Sequence, residues 1–194
     1  AVPILVDCDP TTLNMDLEDA ERKLNMACTG ELGDALRCEK VVGIIPVHVG
    51  GFMLDVAAVQ EFARLHSLWI VDDAAHSFPA AWRQHPGSAW QRCGESTAAV
   101  SCFSFYANKT ITTGEGGMAT TDDSRLAERM KCMSLHGLSH DAWGRYSGTG
   151  SWDYRIVAPG FKYNLTDVAA AIGIHQLARA EEMRRSREVI AEKY

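Results

Sequence analysis

Short apolar runs alternate along the chain with segments whose apolar residues recur every three to four positions. The apolar runs predict strands, at residues 3–9, 41–49, 68–75, 98–105 and 116–121. The periodic segments predict helices, over residues 16–28, after caps at Asp55 and Ser124, and from a cap at Thr166 onward. Because the strands are apolar throughout, we expect a sheet that is covered on both faces. The predicted fold is α/β, with three layers and a mostly parallel sheet flanked by helices.

Two further segments shape the expected organisation. A Gly/Ser-rich stretch at residues 136–155 predicts a long surface loop. The helical pattern after Thr166 continues to Tyr194 with no Gly, Asn or Pro to end it. Because helices usually end at such a residue, we expect this sequence to be part of a longer one.

Composition excludes several classes of protein. With 46% hydrophobic and 23% charged residues, the 194-residue chain is expected to be globular rather than disordered. A net charge of −6 argues against nucleic-acid binding, which needs a basic face. No apolar stretch approaches the roughly 20 residues that span a bilayer, and the first residues do not resemble a signal peptide, so we expect a cytoplasmic protein without a membrane partner. The six cysteines form no CxxC pair, which favours buried free thiols.

Polar residues cluster just after the apolar runs of three predicted strands, toward the strand ends where ligands bind in open α/β sheets. Asp72, Asp73 and His76 follow the run LWIV, the segment from Ser104 to Lys109 follows AAVSCF, and His48, with the Gly-Gly turn after it, follows IIPV. Each alone would more often be a turn former, a helix cap or a solvated side chain. Their combination is more specific.

An acid at one strand end and a lysine at another suggest pyridoxal 5'-phosphate (PLP). This cofactor needs an amine to form a Schiff base and a carboxylate to keep its pyridine nitrogen protonated. Asp73 or Asp72 and Lys109 fill these roles, and Ser104 can donate its hydroxyl to the phosphate. The small residues at 110–117 are expected to let the chain turn tightly beside the ligand and to clear space around it.

Other chemistry is less well supported by the sequence. His136 and His140 have a spacing found in metal sites, but they lie in a loop pattern and no third ligand is apparent, so no metal is expected. The chain has no GxGxxG after a first strand and no G-x-S-x-G elbow.

Three motifs in order resemble those of the DegT/DnrJ/EryC1/StrS family of sugar aminotransferases, which are fold-type I PLP enzymes. The motifs are VDDAAHS at 71–77, CFSFYANKTITTGEGGM at 102–118 and APGFKYNLTDVAAAIGIHQL at 158–177. A segment at 46–55, PVHVGGFMLD, also resembles the family's sequence ahead of the cofactor acid. The resemblance extends in order over essentially the whole chain.

The resemblance implies a role for each site residue. Asp73 matches the acid that contacts the pyridine nitrogen, whereas Asp72 matches a variable neighbour. The other matches are His76 to a residue beside the ring, Ser104 to a phosphate ligand and Lys109 to the Schiff-base lysine.

Asn164 matches a region that, in family dimers, reaches the neighbouring subunit's cofactor site. Whether Asn164 or Lys162 would make that contact stays open. Family dehydratases have histidine in place of the lysine, so Lys109 favours transamination.

The family implies a PLP-dependent aminotransferase that acts on a nucleotide-linked keto-sugar, with glutamate as the expected amino donor, and assembles as a homodimer. Its members are longer, and we expect residues 1–194 to be the central part of the large domain, without the N-terminal phosphate-binding turn and the C-terminal small domain. The alternative is a truncated, non-catalytic α/β fragment that folds or assembles without activity. In either case we expect the isolated chain to be oligomeric, with little or no activity.

Overall fold

The computed structural model describes residues 1–138 and 155–194. The α-helices of the described part are α1 (Leu17–Thr29), α2 (Val56–Leu65), α3 (Ser124–Ser134), α4 (Asp167–Ala178) and α5 (Ala180–Ala191). Its strands are β1 (Gly43–Ile44), β2 (Trp69–Asp73), β3 (Ala81–Trp82), β4 (Gln91–Arg92), β5 (Val100–Ser104) and β6 (Gly117–Thr120). Most of the loop predicted at 136–155, including His140, lies outside the described residues.

The main sheet has four strands in the order β1-β2-β5-β6. β1, β2 and β5 are parallel, with Ile44 opposite Ile70 and Asp73 opposite Cys102, whereas β6 runs antiparallel to β5. β3 and β4 form a separate antiparallel pair. The predicted α/β class with a mostly parallel sheet and flanking helices is confirmed. Parallel strands bring their carboxyl ends to one edge, so the residues after β2 and β5 become neighbours.

Two apolar clusters hold the helices in place. The first joins the sheet to α2 through Ile44, Ile70, Val59 and Ala63. The second packs Ala180, the first residue of α5, against Phe105 and Ile111 in the segment that follows β5. This second cluster fixes α5 beside the end of β5.

Helix caps agree with the sequence at two of three predicted positions. Asp55 accepts a hydrogen bond from the backbone N–H of Ala58, and Thr166 accepts one from that of Ala169. α3, however, is capped by Asp123, whose carboxylate accepts from the backbone of Arg125 and Leu126. The expectation that Ser124 caps this helix is wrong, because the charged acid one residue earlier takes the cap position.

The predicted strand at residues 3–9 does not form. Cys8 makes an isolated bridge to Met15, and Leu5 is 80% exposed. An apolar run needs a neighbouring strand to satisfy its backbone groups, and these residues have none in the described part of the chain.

The strand predicted at 41–49 is shortened to Gly43–Ile44, followed by a single bridge between Val47 and Asp73. Pro46, which lacks an N–H donor, lies between them. The helix predicted from Thr166 to the chain end divides at Arg179 into α4 and α5. Within the described residues, no helix combines the length and apolarity that crossing a bilayer requires.

A buried polar cluster lies behind the end of β2. Asp72 is 2% exposed, and its Oδ2 accepts hydrogen bonds from the hydroxyls of Thr97 at 2.6 Å and Ser101 at 3.0 Å. Its Oδ1 lies 3.7 Å from Nε2 of His48, which is also 2% exposed. Nδ1 of His48 accepts from the backbone N–H of Leu54, so a neutral ring carries its proton on Nε2, toward Asp72.

The buried carboxylate of this cluster affects the pKa of a nearby thiol, that of Cys93. Burial, reinforced by the negative charge of Asp72, raises the pKa of Cys93 to about 12. A thiol with that pKa stays protonated at neutral pH and is a poor nucleophile. Cys93 therefore acts as a packing residue, as expected for a buried free thiol. The same expectation is wrong for Cys8, Cys28 and Cys102, which are exposed.

We expect Asp72→Asn to destabilise the fold by about 1–3 kcal/mol. Asparagine keeps one acceptor for Thr97 and Ser101, but it turns an amide donor toward the N–H of His48 in a buried site. Urea unfolding followed by circular dichroism measures the loss. Asp73→Asn is the matched control, since its side chain is half-buried and stays able to accept from Ala75, and its effect should stay within about 0.5 kcal/mol. Equal losses would contradict this account of the cluster.

Candidate functional site

A cleft of about 270 Å³ opens beside the carboxyl ends of β2 and β5. It is lined by Gly50, Ala75, His76, Phe78, Ser104, Asn108, Lys109, Thr110, Ile111 and Arg187. Three of the five site residues predicted from the sequence are in this lining. No carboxylate is among the lining residues, so the charged groups that face the cleft are cationic.

Lys109 lies on the turn that follows β5. Its backbone N–H donates to the carbonyl of Tyr106 at 3.1 Å, which closes the turn and places Lys109 next to the strand end. The side chain is half-buried, and its Nζ has no hydrogen-bond or ion-pair partner among the described residues. An amine without such a partner is available to react with a carbonyl group.

Ser104 is the last residue of β5 and lines the same cleft. Its Oγ accepts a hydrogen bond from the backbone N–H of Tyr106 at 3.3 Å. The hydroxyl proton is not used in that contact, so Ser104 can still donate to an anionic ligand.

His76 follows β2 and is positioned by a glycine turn. Its Nδ1 accepts from the backbone N–H of Gly50 at 3.2 Å, which leaves the proton of a neutral ring on Nε2. Gly51 has a φ of +87°, and a Cβ there would lie 2.7 Å from the carbonyl oxygen of His76. Glycine is required at this position both for its backbone angle and for the close approach.

The two adjacent acids differ in what they contact. Asp72 points into the buried cluster, where its carboxylate is occupied. Asp73 Oδ1 accepts from the backbone N–H of Ala75 at 3.1 Å, whereas its Oδ2 has no partner among the described residues. Asp73 does not line the cleft itself, but Ala75, which it orients, does. The sequence analysis did not predict the structural role of Asp72. The apolar run that precedes it was the one indication that this acid could be buried.

Asn164 is not brought to the cleft. It lies between Lys162, which bridges to Leu135, and Thr166, which caps α4. It is half-buried, whereas Lys162 is exposed. Neither residue is among those that line the cleft with Lys109.

One glycine after Lys109 is required by the packing of the protein itself. A Cβ at Gly117 would lie 2.6 Å from the carbonyl oxygen of Phe103 on the paired strand, so glycine at this position allows β6 to approach β5. The side chain of Glu115 is exposed, and its carbonyl accepts from the hydroxyl of Thr113. The expectation that the small residues at 110–117 clear space around a ligand stays a prediction.

Arg187 is a lining residue that the sequence did not indicate. Acidic and basic residues are interleaved along α5, and this pattern predicts a helix face that is exposed to solvent. In the structure, Ala180, Met183 and Arg187 share one face at i, i+3 and i+7, and the first two pack against the second apolar cluster. The same face carries Arg187 to the cleft, where its Nη2 lies 3.4 Å from the carbonyl oxygen of Lys109.

Comparisons with known proteins identify relatives over the full chain. The model of the DegT/DnrJ/EryC1/StrS aminotransferase family matches residues 1–194. The spore coat polysaccharide biosynthesis protein SpsC of Bacillus subtilis is 42% identical over 195 residues, which is 100% of this chain and 45% of SpsC. The chain thus spans about half the length of the curated relatives that it matches.

Solved structures agree with this match. The PMP-form of the putative sugar aminotransferase Spr1654 from Streptococcus pneumoniae superposes with a TM-score of 0.79 at 29% identity, covering 100% of this chain and 49% of that one. The aminotransferase PseC of Helicobacter pylori, involved in pseudoaminic acid biosynthesis, gives 0.70 at 26% identity, covering 93% and 41%. The fold is part of the large domain of a fold-type I enzyme, and the chain belongs to the DegT/DnrJ/EryC1/StrS aminotransferase family.

Proposed function

We propose that this chain is the central, cofactor-binding part of a PLP-dependent sugar aminotransferase. The observation that carries the proposal is the ε-amine of Lys109, which has no partner among the described residues and faces a cleft at the end of β5. Membership of the family supports it, as does the similarity to Spr1654, which has also been solved in a PLP-form.

The side chains at the cleft fit this cofactor. PLP, when bound, supplies an aldehyde that condenses with amines and a ring that withdraws electrons from the attached amino acid. Lys109 offers the amine, and Ser104 offers a hydroxyl donor for a phosphate. Asp73 keeps one carboxylate oxygen without a partner, as a contact to a protonated pyridine nitrogen requires.

Each residue has a proposed part in the reaction. Lys109 attaches the cofactor and, once released, moves a proton at the substrate carbon as base and then acid. Asp73 holds the pyridine nitrogen protonated, and His76 orients the ring from its side. Ser104 binds the phosphate, and Asn164 or Lys162 contributes to the site of a neighbouring subunit.

Membership of the family supports a proposal for the chemical class of the substrates. We propose a nucleotide-linked keto-sugar as amino acceptor and glutamate as amino donor. The support is that Spr1654 is a putative sugar aminotransferase and that SpsC is a spore coat polysaccharide biosynthesis protein. Lys109, in place of the histidine of family dehydratases, favours transfer of an amino group.

We propose further that the protein acts as a homodimer. α4 is composed mostly of apolar residues that are not confined to one face, and Val168, Ile174 and Leu177 are 75%, 69% and 55% exposed. A helix of this kind is normally buried, and large exposed apolar surfaces mark interfaces. The same exposure fits the alternative of a non-catalytic fragment, which differs in that it would not bind the cofactor productively.

The attachment of PLP to Lys109 can be tested directly. Borohydride reduction of the PLP-loaded protein, followed by peptide mass mapping, should find a pyridoxyl adduct on Lys109, because its amine is free and lies in the cleft. Lys109→Arg should abolish the adduct. Lys131→Arg serves as the control and should leave it in place. An adduct on Lys131 or Lys162 instead would contradict the assignment, and no adduct at all would favour the non-catalytic alternative.

The choice of Asp73 over Asp72 gives a second prediction. Asp73→Asn should weaken PLP binding by about tenfold or more, because it removes a charge-assisted contact to the pyridinium that is worth about 1.5–3 kcal/mol. Absorbance titration with PLP measures the affinity. Asp72→Asn, assayed at a temperature at which it stays folded, is the comparison, and its affinity should change much less. Equal weakening by the two changes would count against Asp73.

A further inference from the structure

α5 brings a cation to the cleft that has no acidic partner. Two neighbouring arginines are paired: Arg179 with Glu182, and Arg184 with both Glu181 and Glu188. Arg185, like Arg187, has no acidic partner among the described residues, but it does not line the cleft. Among the described residues, the one hydrogen bond of the Arg187 side chain is the 3.4 Å contact to the carbonyl of Lys109. A guanidinium has five N–H donors, so most of those on Arg187 are unused.

The position of Arg187 is set by packing. Ala180, at the start of α5, is 4% exposed and packs with Phe105 and Ile111, and Met183 packs against the same cluster. Glu181 on the next position forms an ion pair with Arg92 of β4, which ties the helix to the rest of the fold from a second side. These contacts fix the first turn of α5. Arg187, one turn further along the same face, is therefore held over the cleft.

The electrostatics of the cleft favour an anion. Lys109 and Arg187 contribute positive charge, Ser104 contributes a hydroxyl donor, and the lining contains no carboxylate. Arginine presents paired donors in a planar fork that matches the oxygens of a carboxylate or a phosphate. The three donors come from separate elements and face one cavity.

We infer that Arg187 binds an oxyanion in the cleft beside Lys109, and so is a specificity-determining residue of this site. The inference rests on the proposed function for the identity of that oxyanion, which is either the phosphate of the cofactor or a carboxylate of the amino donor. Both present oxygens that a guanidinium binds in the same way. The alternative is that Arg187 only caps the Lys109 carbonyl.

The test measures anion binding without cofactor. The 194-residue chain and its Arg187→Gln variant are titrated calorimetrically with inorganic phosphate and, separately, with glutarate, a dicarboxylate that lacks the amine. We expect the unaltered chain to bind at least one of them, and Arg187→Gln to bind it about tenfold more weakly, as loss of a charge-assisted hydrogen bond implies.

Arg185→Gln is the matched control. It removes the same charge from the same helix, and Arg185 is an exposed residue that does not line the cleft. Its anion affinity should equal that of the unaltered chain. Circular dichroism melting checks that the variants fold. If Arg187→Gln does not fold, Arg187→Lys, which keeps the charge but loses the fork, should show an intermediate affinity.

A second titration assigns the source of the anion. PLP and pyridoxal, which lacks the phosphate, are compared by absorbance. If the phosphate is the ligand, Arg187→Gln weakens PLP binding about tenfold and leaves pyridoxal binding unchanged. If the donor carboxylate is the ligand, the variant binds PLP normally and loses glutarate.

The inference is overturned if the unaltered chain binds neither anion, or if Arg187→Gln binds both as well as the unaltered chain does. It is also overturned if Arg185→Gln causes the same loss, because the effect would then be one of net charge. These outcomes differ from failure of the proposed function. Absence of a Lys109 adduct with intact, Arg187-dependent phosphate binding would reject the cofactor proposal and keep the anion site.

Discussion

At the end of β2 the chain turns one carboxylate into the protein interior and leaves the next one outside it. Successive side chains on a strand point to opposite faces, so Asp72 and Asp73 cannot share an environment. Asp72 faces inward, where Thr97, Ser101 and His48 surround it. The buried acid can be tolerated because the hydroxyls of Thr97 and Ser101 donate to its Oδ2, while the His48 ring lies 3.7 Å from its Oδ1. Its neighbour Asp73 keeps one carboxylate oxygen without a partner among the described residues, and the cleft opens beside this strand end.

The same constraint connects the fold to the cleft. His48, held against Asp72, precedes the glycine turn that donates to His76. β5 pairs with β2 in parallel, so Ser104 and the turn bearing Lys109 end at the same edge as Asp73. The second apolar cluster then places α5 across this edge. Residues far apart in the sequence reach one cavity because each is tied to a rigid element, which is how α/β proteins build sites.

Predictions from the sequence succeeded where the signal was local or depended on a strong pattern. The helix caps Asp55 and Thr166, the strand that carries Asp73, the strand that precedes Lys109, and the α/β class are examples. They failed where a neighbour decided the outcome. The apolar run at 3–9 has no adjacent strand in the described chain, and Asp123 took the cap position from Ser124. The need for glycine at position 117 is set by the carbonyl oxygen of Phe103 on the paired strand, which no local pattern indicates.

By itself, the sequence determined the alternation of strands and helices, the family motifs and the candidate lysine, because each of these is expressed within a few consecutive residues. The tertiary structure decided which groups meet. It showed that Asp72 is hydrogen-bonded within a buried cluster and that Asn164 does not line the cleft. It also showed that Arg187 contacts the backbone carbonyl of Lys109, although the charge pattern of its helix predicts a face exposed to solvent. Such relations depend on packing between segments almost 80 residues apart, and a periodic pattern along one segment carries no information about the partner it will face.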